Sequence, residues 1–595
     1  MDLNRIVFSS DEHGASNLFI QMWTEKMRSA LEGVVHCRTN PNESFAYISK
    51  VVKESLSSPR FRVTLRLSTD VVNNERANML NQNGMFYVES DRKQYIMALK
   101  CYNESIAYTE ALSHERARTY VNRSVVCLLM EHYEECLENI MLARECSNST
   151  LQQFSLQMHE HEAKRGLVKN LERNARSSVT TKQDPADGLR LSYPSHTHEL
   201  DVANCLSLKR NDQYGRHVVT SRKLKVGDVV MIDKPFVTMA GEHCRYLRCD
   251  YCLRERPFTL IPCDRCTWVM YCSRTCLSKA FNEYHRYECG ILRDLQRIGG
   301  PMLLMALRVT ARTIAIFGGS LETFQAHVDE LYEPQVNGFT MNASVATFEE
   351  MYNMVHVLAT NQERRQCRDI AVQLLHAHVI HTMVLERTEL RLTCQGNPER
   401  QKILFDMILR HLQIVLCNRM PLSCMEYKPF QMQHEMTVYG LACYPLVSML
   451  NHSCASNVKR ITLRDGRCAI IVVRPIAEGG QLFTNCSVHH FTNTRRIRQT
   501  VLKCMYHFDC NCEACSKNYP MLRLLYPLHI ANALKMYVLN RNRQRKRASE
   551  IMKRTRIYLN RTAKRYPSKH RLIAQYLFEQ SCMNLYQDTS EVEKC

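Results

Sequence analysis

Glycine, proline and long apolar runs are scarce in this chain. Only 19 of its 595 residues are glycine and 17 are proline, so the composition does not indicate a long low-complexity linker. No apolar stretch reaches the length of a membrane span, and residues 1–19 lack the charged-then-apolar layout of a signal peptide. We therefore expect an intracellular protein without a membrane span, divided into about three or four domains.

Cysteine, in contrast, is abundant, with 28 residues. Disulfide frameworks are rare in a reducing compartment, so clustered cysteines point to bound metal instead. The formal charge of +20 suits acidic partners. Lys and Arg cluster tightly only at 541–547 and 553–556, which fits a solvated helix face or, alternatively, a nuclear-import or nucleic-acid patch. Aromatic residues do not interleave these runs as a base-stacking groove requires, so direct nucleic-acid binding has no further support.

A faint internal repeat runs through residues 80–145. Tyr95 and Leu99 recur 38 residues later as Tyr133 and Leu137. This spacing favours either two tetratricopeptide (TPR) repeats or an ordinary helical hairpin.

Beyond this repeat the pattern alternates between strands and helices. Strand signals at 225–236 and 467–484 lie on either side of helical spacing at 290–420, and helical spacing returns after residue 520. The sequence therefore predicts an α+β fold, in which a β-rich domain is interrupted by an insertion and flanked by helical parts.

Eight potential metal ligands fall within residues 249–289. Seven thiols and one imidazole suit two tetrahedral zinc ions with closed, structural coordination. A segment so poor in apolar residues needs the metal to fold, since zinc binding supplies on the order of 10 kcal/mol. The ligands are Cys249, Cys252, Cys263, Cys266, Cys272, Cys276, His285 and Cys289.

A second cluster, C-x-C-x2-C, is formed by Cys510, Cys512 and Cys515. Three thiols need a fourth ligand to complete a tetrahedron, and Cys454 is the candidate. It lies in the stretch LNHSCASNV (450–458), whose polar side chains follow an apolar run. That stretch also fits a capped turn at a strand end, with its side chains bonded to the local backbone.

The order of ligands in residues 249–289 resembles the MYND zinc finger over its whole length. Fingers of this kind usually bind short proline-containing peptides, and this one carries the aromatics Trp268 and Tyr271. By the resemblance the ligands interleave: Cys249, Cys252, Cys272 and Cys276 hold one zinc, and Cys263, Cys266, His285 and Cys289 hold the other.

The stretch LNHSCASNV, the strand pair after it and FDCNCEAC (508–515) resemble the C-terminal half of a SET domain. In that domain the cysteine of the first motif joins the C-x-C-x2-C zinc. With the inserted finger, the chain resembles the SET-and-MYND family of protein-lysine methyltransferases, in a divergent form of the branch with an N-terminal TPR-like segment. The resemblance implies S-adenosyl-L-methionine as cofactor and three zinc ions, two in the finger and one after the SET domain.

The implied architecture is a β-rich SET domain split by the MYND finger and a helical insertion. An N-terminal region with TPR-like repeats and a C-terminal helical domain flank it. The predicted boundaries are 1–175 (N-terminal helices, with repeats at about 80–145), 200–248 (first part of the SET domain), 249–289 (finger), 290–430 (helical insertion), 431–500 (SET core), 501–518 (post-SET zinc segment) and 519–595 (C-terminal helices).

Carried over by position, the resemblance assigns six residues to the cofactor. Two lie at the start of the SET domain, one comes from the helical insertion, two hold the adenosyl end, and one is an aromatic near adenine. They are Gly215, Arg216, Asn418, Asn451, His452 and Phe508.

Two positions are assigned to the catalytic channel. Tyr506 matches an aromatic residue that lines the channel for the lysine side chain. Cys486 stands where the family has a tyrosine whose hydroxyl faces methyl transfer; a thiol is shorter and a weak hydrogen-bond donor. Alternatively, Cys486 is a small buried thiol of the core. Two further departures are His217, in place of a second glycine, and Gly480 with Gln481, in place of two acidic residues.

The resemblance implies a protein-lysine N-methyltransferase that transfers a methyl group from S-adenosyl-L-methionine to histone or non-histone proteins. The departures at Cys486 and His217 favour an alternative, a catalytically weak or inactive scaffold that recruits co-repressors or other proteins. We expect protein substrates or co-repressors to bind through the finger, the TPR-like helices and the C-terminal helices. We also expect a monomer, located in the nucleus and the cytoplasm.

Overall fold

The computed structural model describes most of the chain between residues 49 and 587. Residues 1–48 of the predicted N-terminal region and 522–540 of the predicted C-terminal domain lie outside the described residues. The described ranges are 49–50, 52–67, 71–91, 93–146, 150–176, 189–195, 201–341, 347–428, 433–519, 521 and 541–587.

Helices form the N-terminal part, the insertion and the C-terminal part of the molecule. Their bounds are α1 Pro59–Thr64, α2 Asn74–Glu89, α3 Tyr95–Tyr108, α4 His114–Leu129, α5 Tyr133–Cys146, α6 Thr150–Arg176, α7 Arg274–Glu283, α8 Leu292–Gly299, α9 Pro301–Ile316, α10 Leu321–Glu330, α11 Phe348–His356, α12 Cys367–Arg387, α13 Leu390–Cys394, α14 Pro398–Asn418, α15 Arg495–Tyr506, α16 Glu513–Ser516, α17 Arg541–Arg561 and α18 Lys569–Tyr586.

Strands form the middle of the molecule, in several small sheets. Their bounds are β1 Asp201–Val202, β2 Leu206–Asn211, β3 Gly215–Thr220, β4 Val229–Asp233, β5 Val237–Ala240, β6 Ile261–Pro262, β7 Met270–Tyr271, β8 Arg419–Lys428, β9 Gln433–Cys443, β10 Asn451–His452, β11 Val458–Thr462, β12 Cys468–Val472 and β13 Phe483–Thr484.

Helices α2 to α5 pack as two helix pairs, α2 with α3 and α4 with α5. Tyr95 and Tyr133 each begin the second helix of a pair, which is the repeat that the sequence shows. Within the first pair the helices approach closely, because Gly84 faces the ring of Tyr102 and a Cβ there would overlap it. This pairing is consistent with both sequence interpretations, TPR repeats and an ordinary helical hairpin, and does not distinguish them.

The largest sheet of the β-rich domain has the strand order β1-β4-β12-β11, and all its neighbours are antiparallel. Every residue of β4 and β12 is buried, which explains why these strands read as continuous apolar runs. One apolar cluster joins Ile461 and Ile471 of this sheet to Leu559 of α17 and Phe578 of α18. The C-terminal helices therefore cover one face of the sheet.

The helical insertion ends at Asn418, where α14 passes directly into strand β8. Strands β8 and β9 form a hairpin that continues as the sheet β5-β9-β8. Met420, Leu422 and Cys424 alternate as buried residues along β8. The last helix of the insertion thus ends at Asn418, whereas the insertion was predicted to extend to residue 430.

Among the described residues, a single helix long and apolar enough to cross a membrane is not found. Only α9 and α10 taken together reach that length and hydropathy, with a bend of 93° between them.

Candidate cofactor site and zinc centres

The first metal group of residues 249–289 has the spacing of a closed tetrahedral site. The sulfur atoms of Cys249, Cys252, Cys272 and Cys276 lie within 4.8 Å of one another. Cys272 Sγ is 3.6 Å from Cys252 Sγ and 3.6 Å from Cys276 Sγ. Sulfur atoms around one zinc, at a Zn–S distance of about 2.3 Å, stand about 3.8 Å apart. The four cysteines are the first set that the resemblance implies.

The second metal group gathers three thiols and one imidazole, whose ligand atoms also lie within 4.8 Å of one another. His285 Nε2 is 3.6 Å from Cys266 Sγ, and Cys263 Sγ is 3.9 Å from Cys289 Sγ. These distances again suit four ligands around one zinc ion.

A buried carboxylate orients the histidine of this second group. His285 Nδ1 lies 3.2 Å from Glu288 Oε1, the usual arrangement in which a metal-binding histidine donates its other ring N–H. Arg308 of α9 donates to both carboxylate oxygens of Glu288, at 2.8 and 2.7 Å, and to Asp250 Oδ2 at 2.9 Å. This network joins the metal group to the helical insertion.

The third metal group joins two distant parts of the chain. Cys454 Sγ lies 3.6 Å from Cys515 Sγ and 3.9 Å from Cys510 Sγ, and with Cys512 all four sulfurs are within 4.8 Å of one another. Arg498 donates to Cys515 Sγ at 3.6 Å, so a buried positive charge stands beside the thiols. The fold thus makes the link to Cys454 that spacing left open.

The N-terminal helix pairs hold the zinc-finger segment through buried polar side chains. Asn103, Arg123 and Asn139 each donate at 2.8 Å to a main-chain carbonyl within residues 257–260. Asn103 also donates to the carbonyl of Tyr246 at 2.8 Å. These side chains therefore satisfy backbone groups of the finger, and they are fully buried in doing so.

The finger's aromatic residues lie inside this packing. Trp268 and Tyr271 are 6% and 0% exposed. The guanidinium carbons of Arg245 and Arg293 lie 4.0 and 5.2 Å from the Trp268 ring centre, a cation–π arrangement. In this packing the tryptophan is covered by protein and does not offer its face to an external peptide.

The stretch LNHSCASNV contains strand β10, which is Asn451 and His452, paired in parallel with β13. Asn451 Nδ2 donates to the carbonyls of Tyr214 and Arg216, at 3.1 and 3.3 Å. Because these two carbonyls flank Gly215, the amide ties β10 to the turn that begins β3. Two of the sequence-assigned cofactor segments are thereby held side by side.

The turn at Gly215 leaves room for a ligand next to the backbone. Gly215 has φ +61°, and the space where a Cβ would stand is open. Only glycine adopts this conformation at little cost. Asn418, which is buried, donates through Nδ2 to the carbonyls of Ala359 and Ile414, at 2.7 and 2.8 Å, so its amide oxygen remains as an acceptor for a ligand amine. These residues fit S-adenosyl-L-methionine, which presents an amine and a polar adenosyl end.

The ring of His452 is occupied by contacts within the protein. Its Nδ1 accepts from the N–H of Cys486 at 3.1 Å, and its Nε2 lies 3.3 Å from Cys454 Sγ. Burial lowers the pKa of His452 to about 4, so the ring is neutral. The imidazole therefore positions the Cys486 peptide, and contact with a cofactor would come from the main chain of His452.

Aromatic residues and the insertion complete this region. The Phe508 ring centre lies 5.9 Å from that of His452 and 6.5 Å from that of Tyr506. Asn361 Nδ2 donates to the Tyr506 carbonyl at 2.9 Å, and Arg216 donates to the carbonyl of Val357. The insertion thus contacts the SET-like segments at two residues that the resemblance assigns to the site, Arg216 and Tyr506.

Comparison with known proteins agrees with this geometry. A family model of the MYND finger matches residues 249–289. Protein-lysine N-methyltransferase SMYD4 of Mus musculus is 22% identical over 540 residues, which cover 73% of this chain and 67% of the mouse protein. Histone-lysine N-methyltransferase ASHR1 of Arabidopsis thaliana is 22% identical over 314 residues, covering 52% of this chain and 55% of that protein. A SET and MYND domain-containing protein of Dictyostelium discoideum is 22% identical over 331 residues, covering 53% and 82%.

The chain is thus similar to SET and MYND domain proteins, and its residues 249–289 match the MYND finger. It spans about two thirds of the length of the SMYD4 relatives, 67% of the mouse protein and 64% of the Danio rerio protein. The finger match and the cysteine groups support zinc binding by this chain. Its α+β fold, with a split β-rich domain and flanking helices, is the one expected from the sequence.

Cys486 is one of the two residues that the resemblance assigns to the channel. Burial raises the pKa of its thiol, so the thiol stays protonated, and the nearby Arg460 only partly opposes this effect. Arg460 Nη2 donates to the carbonyls of Asn485 and Cys486, at 2.6 and 3.3 Å. The peptide at Cys486 is therefore fixed from two sides, by Arg460 and by His452.

Sequence reasoning missed two arginines beside Tyr506. Burial and the neighbouring Cys486 raise the pKa of the Tyr506 hydroxyl, while Arg419 and Arg460 act in the opposite direction. Arg419 is itself buried deeply enough that desolvation lowers its pKa. The only sequence signal was position, since Arg419 follows the assigned Asn418 directly and Arg460 lies a few residues after the LNHSCASNV stretch, on strand β11.

Proposed function

We propose that this protein is an S-adenosyl-L-methionine-dependent protein-lysine N-methyltransferase that acts on histone or non-histone proteins. The observation that carries the proposal is the Asn451 amide, which joins strand β10 to the open turn at Gly215. Three residues later, Cys454 anchors the same segment in a metal group. The mouse and Arabidopsis relatives, which are lysine methyltransferases at 22% identity, support the same activity.

The proposed cofactor site uses side chains and backbone from three parts of the chain. The cofactor supplies a methyl group on a sulfonium, so the protein must mainly position the acceptor. The cofactor residues are Gly215, Arg216, Asn418, Asn451, His452 and Phe508. The proposed zinc ions number three, one in each of the groups described above.

The residues around Tyr506 would prepare the lysine amine. Its raised pKa keeps the Tyr506 hydroxyl protonated, so this hydroxyl can donate a hydrogen bond or hold a water molecule. Arg419 and Arg460 place positive charge nearby, which disfavours an ammonium and so favours the neutral, nucleophilic amine. The rings of Tyr506 and Phe508 exclude water from the approach.

Cys486 and His217 favour a second candidate function, a scaffold of low or absent activity that recruits co-repressors or other proteins. A buried, protonated thiol cannot replace a tyrosine hydroxyl in length or donor strength. His217 is buried and its Nδ1 lies 3.0 Å from the Gly215 carbonyl, so the second turn position is filled. For either function we propose that protein partners bind at the finger and the helical domains and that the helix pairs are TPR repeats. We also propose that the protein is a monomer located in the nucleus and the cytoplasm.

A methyl-transfer assay with isotope-labelled cofactor and arrays of histone and non-histone peptides separates the two functions. The enzyme is expected to label a lysine, and Tyr506→Phe is expected to lower the rate at least about tenfold through loss of a channel hydroxyl. Tyr193→Phe, which removes a hydroxyl remote from the site, is the matched control and should leave the rate unchanged. If the protein binds the cofactor but transfers no methyl group to any peptide, the enzyme proposal is wrong and the scaffold function is favoured.

A further inference from the structure

An arginine-rich cleft lies between the finger and the SET core, away from the proposed cofactor site. Its volume is about 590 Å³, within the range of about 300–1,000 Å³ that ligand pockets occupy. The finger forms one side, helix α9 the floor, and the loop before β5 with the β11–β12 turn the other side. Five arginines in or next to the finger and in helix α9 line it: Arg248, Arg254, Arg256, Arg308 and Arg312.

The two deepest arginines serve the fold. Arg308 is 1% exposed and pairs with Asp250 and Glu288. Arg248 is also buried and lies 3.5 Å from Glu255. Buried charges paired in this way are neutralised and leave little charge for a ligand.

The arginines at the rim are differently placed. Arg254 and Arg256 are exposed, and among the described residues neither forms an ion pair with a carboxylate. The Arg254 side chain does bond to the Cys252 sulfur, and Arg256 interacts at longer range with Glu135 and Glu138. The Arg312 side chain is 31% exposed, and its Nη2 lies 3.6 Å from Glu283 Oε2, a long ion-pair distance. The other oxygen of Glu283 accepts from the Tyr251 hydroxyl at 2.7 Å. Positive charge at the mouth of the cleft is therefore only partly compensated.

The carboxylates of the lining are already satisfied by the protein. Asp465 accepts from Arg467 Nε at 2.6 Å, Glu255 faces Arg248, and Glu283 is held by Tyr251 and Arg312. A ligand therefore meets guanidinium groups at the mouth and the rings of Tyr251 and Tyr284 below them, which lie nearly parallel at 6.4 Å.

We propose that this cleft binds an acidic peptide segment of a partner protein. Guanidinium groups pair with carboxylates in a planar, two-point geometry, and the cleft has the size for a few side chains of an extended segment. A nucleic acid fits less well, because its affinity grows with the number of phosphates contacted along a continuous basic track. Here the basic groups end within one cleft bordered by carboxylates.

The test measures binding of a fluorescent peptide of about ten residues rich in Asp and Glu to the full chain by anisotropy. The double variant Arg254→Gln with Arg256→Gln removes the two exposed charges at the mouth of the cleft and is expected to weaken binding about tenfold. The matched control neutralises two basic residues on the finger helix outside the cleft, Arg274→Gln with Lys279→Gln. It should change the affinity less than twofold, and zinc content measured for both variants confirms an intact finger.

Equal weakening by both double variants would overturn the proposal, because it would show a general charge effect. No binding of the acidic peptide to the wild-type chain would overturn it as well. Tighter binding of a single-stranded oligonucleotide of the same net charge, lost in the Arg254 and Arg256 variant, would assign the cleft to nucleic acid instead. None of these outcomes depends on methyl transfer, since the assay contains no cofactor.

Discussion

At the scale of single residues, Cys486 limits the chemistry that the proposed site can perform. Its peptide is held in place by His452 and Arg460, so the proposed channel would differ from the family pattern in the side chain and not in the backbone. We expect Cys486→Tyr to raise the methyl-transfer rate by about 10- to 100-fold, because a positioned hydroxyl returns to the channel. Labelled-cofactor transfer measures the rate, and calorimetry should show a cofactor affinity changed less than about threefold.

The control for this substitution is Cys486→Ser, which supplies a hydroxyl without a ring and should leave the rate near that of the wild type. If tighter cofactor binding accounts for the whole rise in the methyl-transfer rate of Cys486→Tyr, the account is contradicted. In that case Cys486 would limit cofactor binding and not the transfer step.

Asp233 is a buried carboxylate whose effect on stability depends on pH. Its Oδ2 accepts from the N–H groups of Leu446 and Val447, at 2.9 and 2.8 Å, just before the LNHSCASNV stretch. Burial raises its pKa to about 7, although these N–H groups act against the shift. A carboxyl whose folded pKa is raised contributes stability below its unfolded value of 3.8, and that contribution is lost as the pH rises towards 7.

We therefore expect the stability of the wild type to fall, relative to Asp233→Asn, between about pH 4 and pH 7, by at most about 1.4 kcal/mol per pH unit. Asparagine keeps an oxygen for the two N–H groups and does not titrate. Urea unfolding of both proteins at several pH values measures the difference. A constant difference across this range would show that Asp233 does not titrate there.

At the scale of elements, the N-terminal helix pairs act as a support for the finger. Asn139 accepts from Arg123 Nε at 2.6 Å and donates to carbonyls of Phe258 and Glu135 at 2.8 Å. We expect Asn139→Ala to lower the free energy of unfolding by about 2–4 kcal/mol, because several buried groups lose their partners. Asn122→Ala on the neighbouring helix, which removes one half-buried bond to Asn81, should cost about 1 kcal/mol or less.

Urea unfolding followed by circular dichroism checks both values, and the rate of zinc loss to a chelator reports on the finger directly. Similar effects from the two substitutions would contradict a specific hold on residues 257–260.

Local spacing was enough to predict the repeat and metal binding by the finger, because the finger's ligands and each helix pair are formed by neighbouring chain. The link of Cys454 to Cys510, Cys512 and Cys515 could not be predicted from spacing, because it joins residues far apart in the chain. The hold of Asn103, Arg123 and Asn139 on the finger could not be predicted, because it joins residues more than a hundred positions apart and buried polar side chains leave no periodic signal. The hairpin of β8 and β9 was missed for a different reason. Met420, Leu422 and Cys424 alternate as a strand does, but Pro421 between them argues against a strand, and the preceding helix masked the change of period.

Cofactor residues were predictable only as far as a motif reached. Asn451 and Gly215 come together in the structure as the resemblance implies, whereas the ring of His452 turns to Cys486 and Cys454. Which atom of a motif residue faces a ligand depends on packing, and packing is not encoded in spacing.

At the scale of the whole molecule, the post-SET metal group should be coupled to the cofactor site and the finger groups should not. Cys454 belongs to the same short segment as Asn451, so loss of the proposed zinc at this group would free the segment. We expect Cys510→Ser to lower zinc content and to weaken cofactor binding at least about tenfold. Cys276→Ser, in the finger, should lower zinc content similarly and change cofactor affinity about twofold or less.

Metal analysis and calorimetry on the two variants make the comparison. Equal loss of cofactor affinity in both would indicate that the three groups unfold together and that the coupling is not local.

The central claim is that β10 and the Gly215 turn form a binding site for S-adenosyl-L-methionine. Isothermal calorimetry of the cofactor with zinc-loaded protein tests it most directly, in the wild type, in Asn451→Ala and in the control Asn122→Ala on the N-terminal helices. We expect an affinity on the order of micromolar for the wild type and the control, and at least about tenfold weaker binding for Asn451→Ala, because the amide that holds the turn is lost. Absence of binding to the wild type, or an equal affinity for Asn451→Ala, would contradict the account.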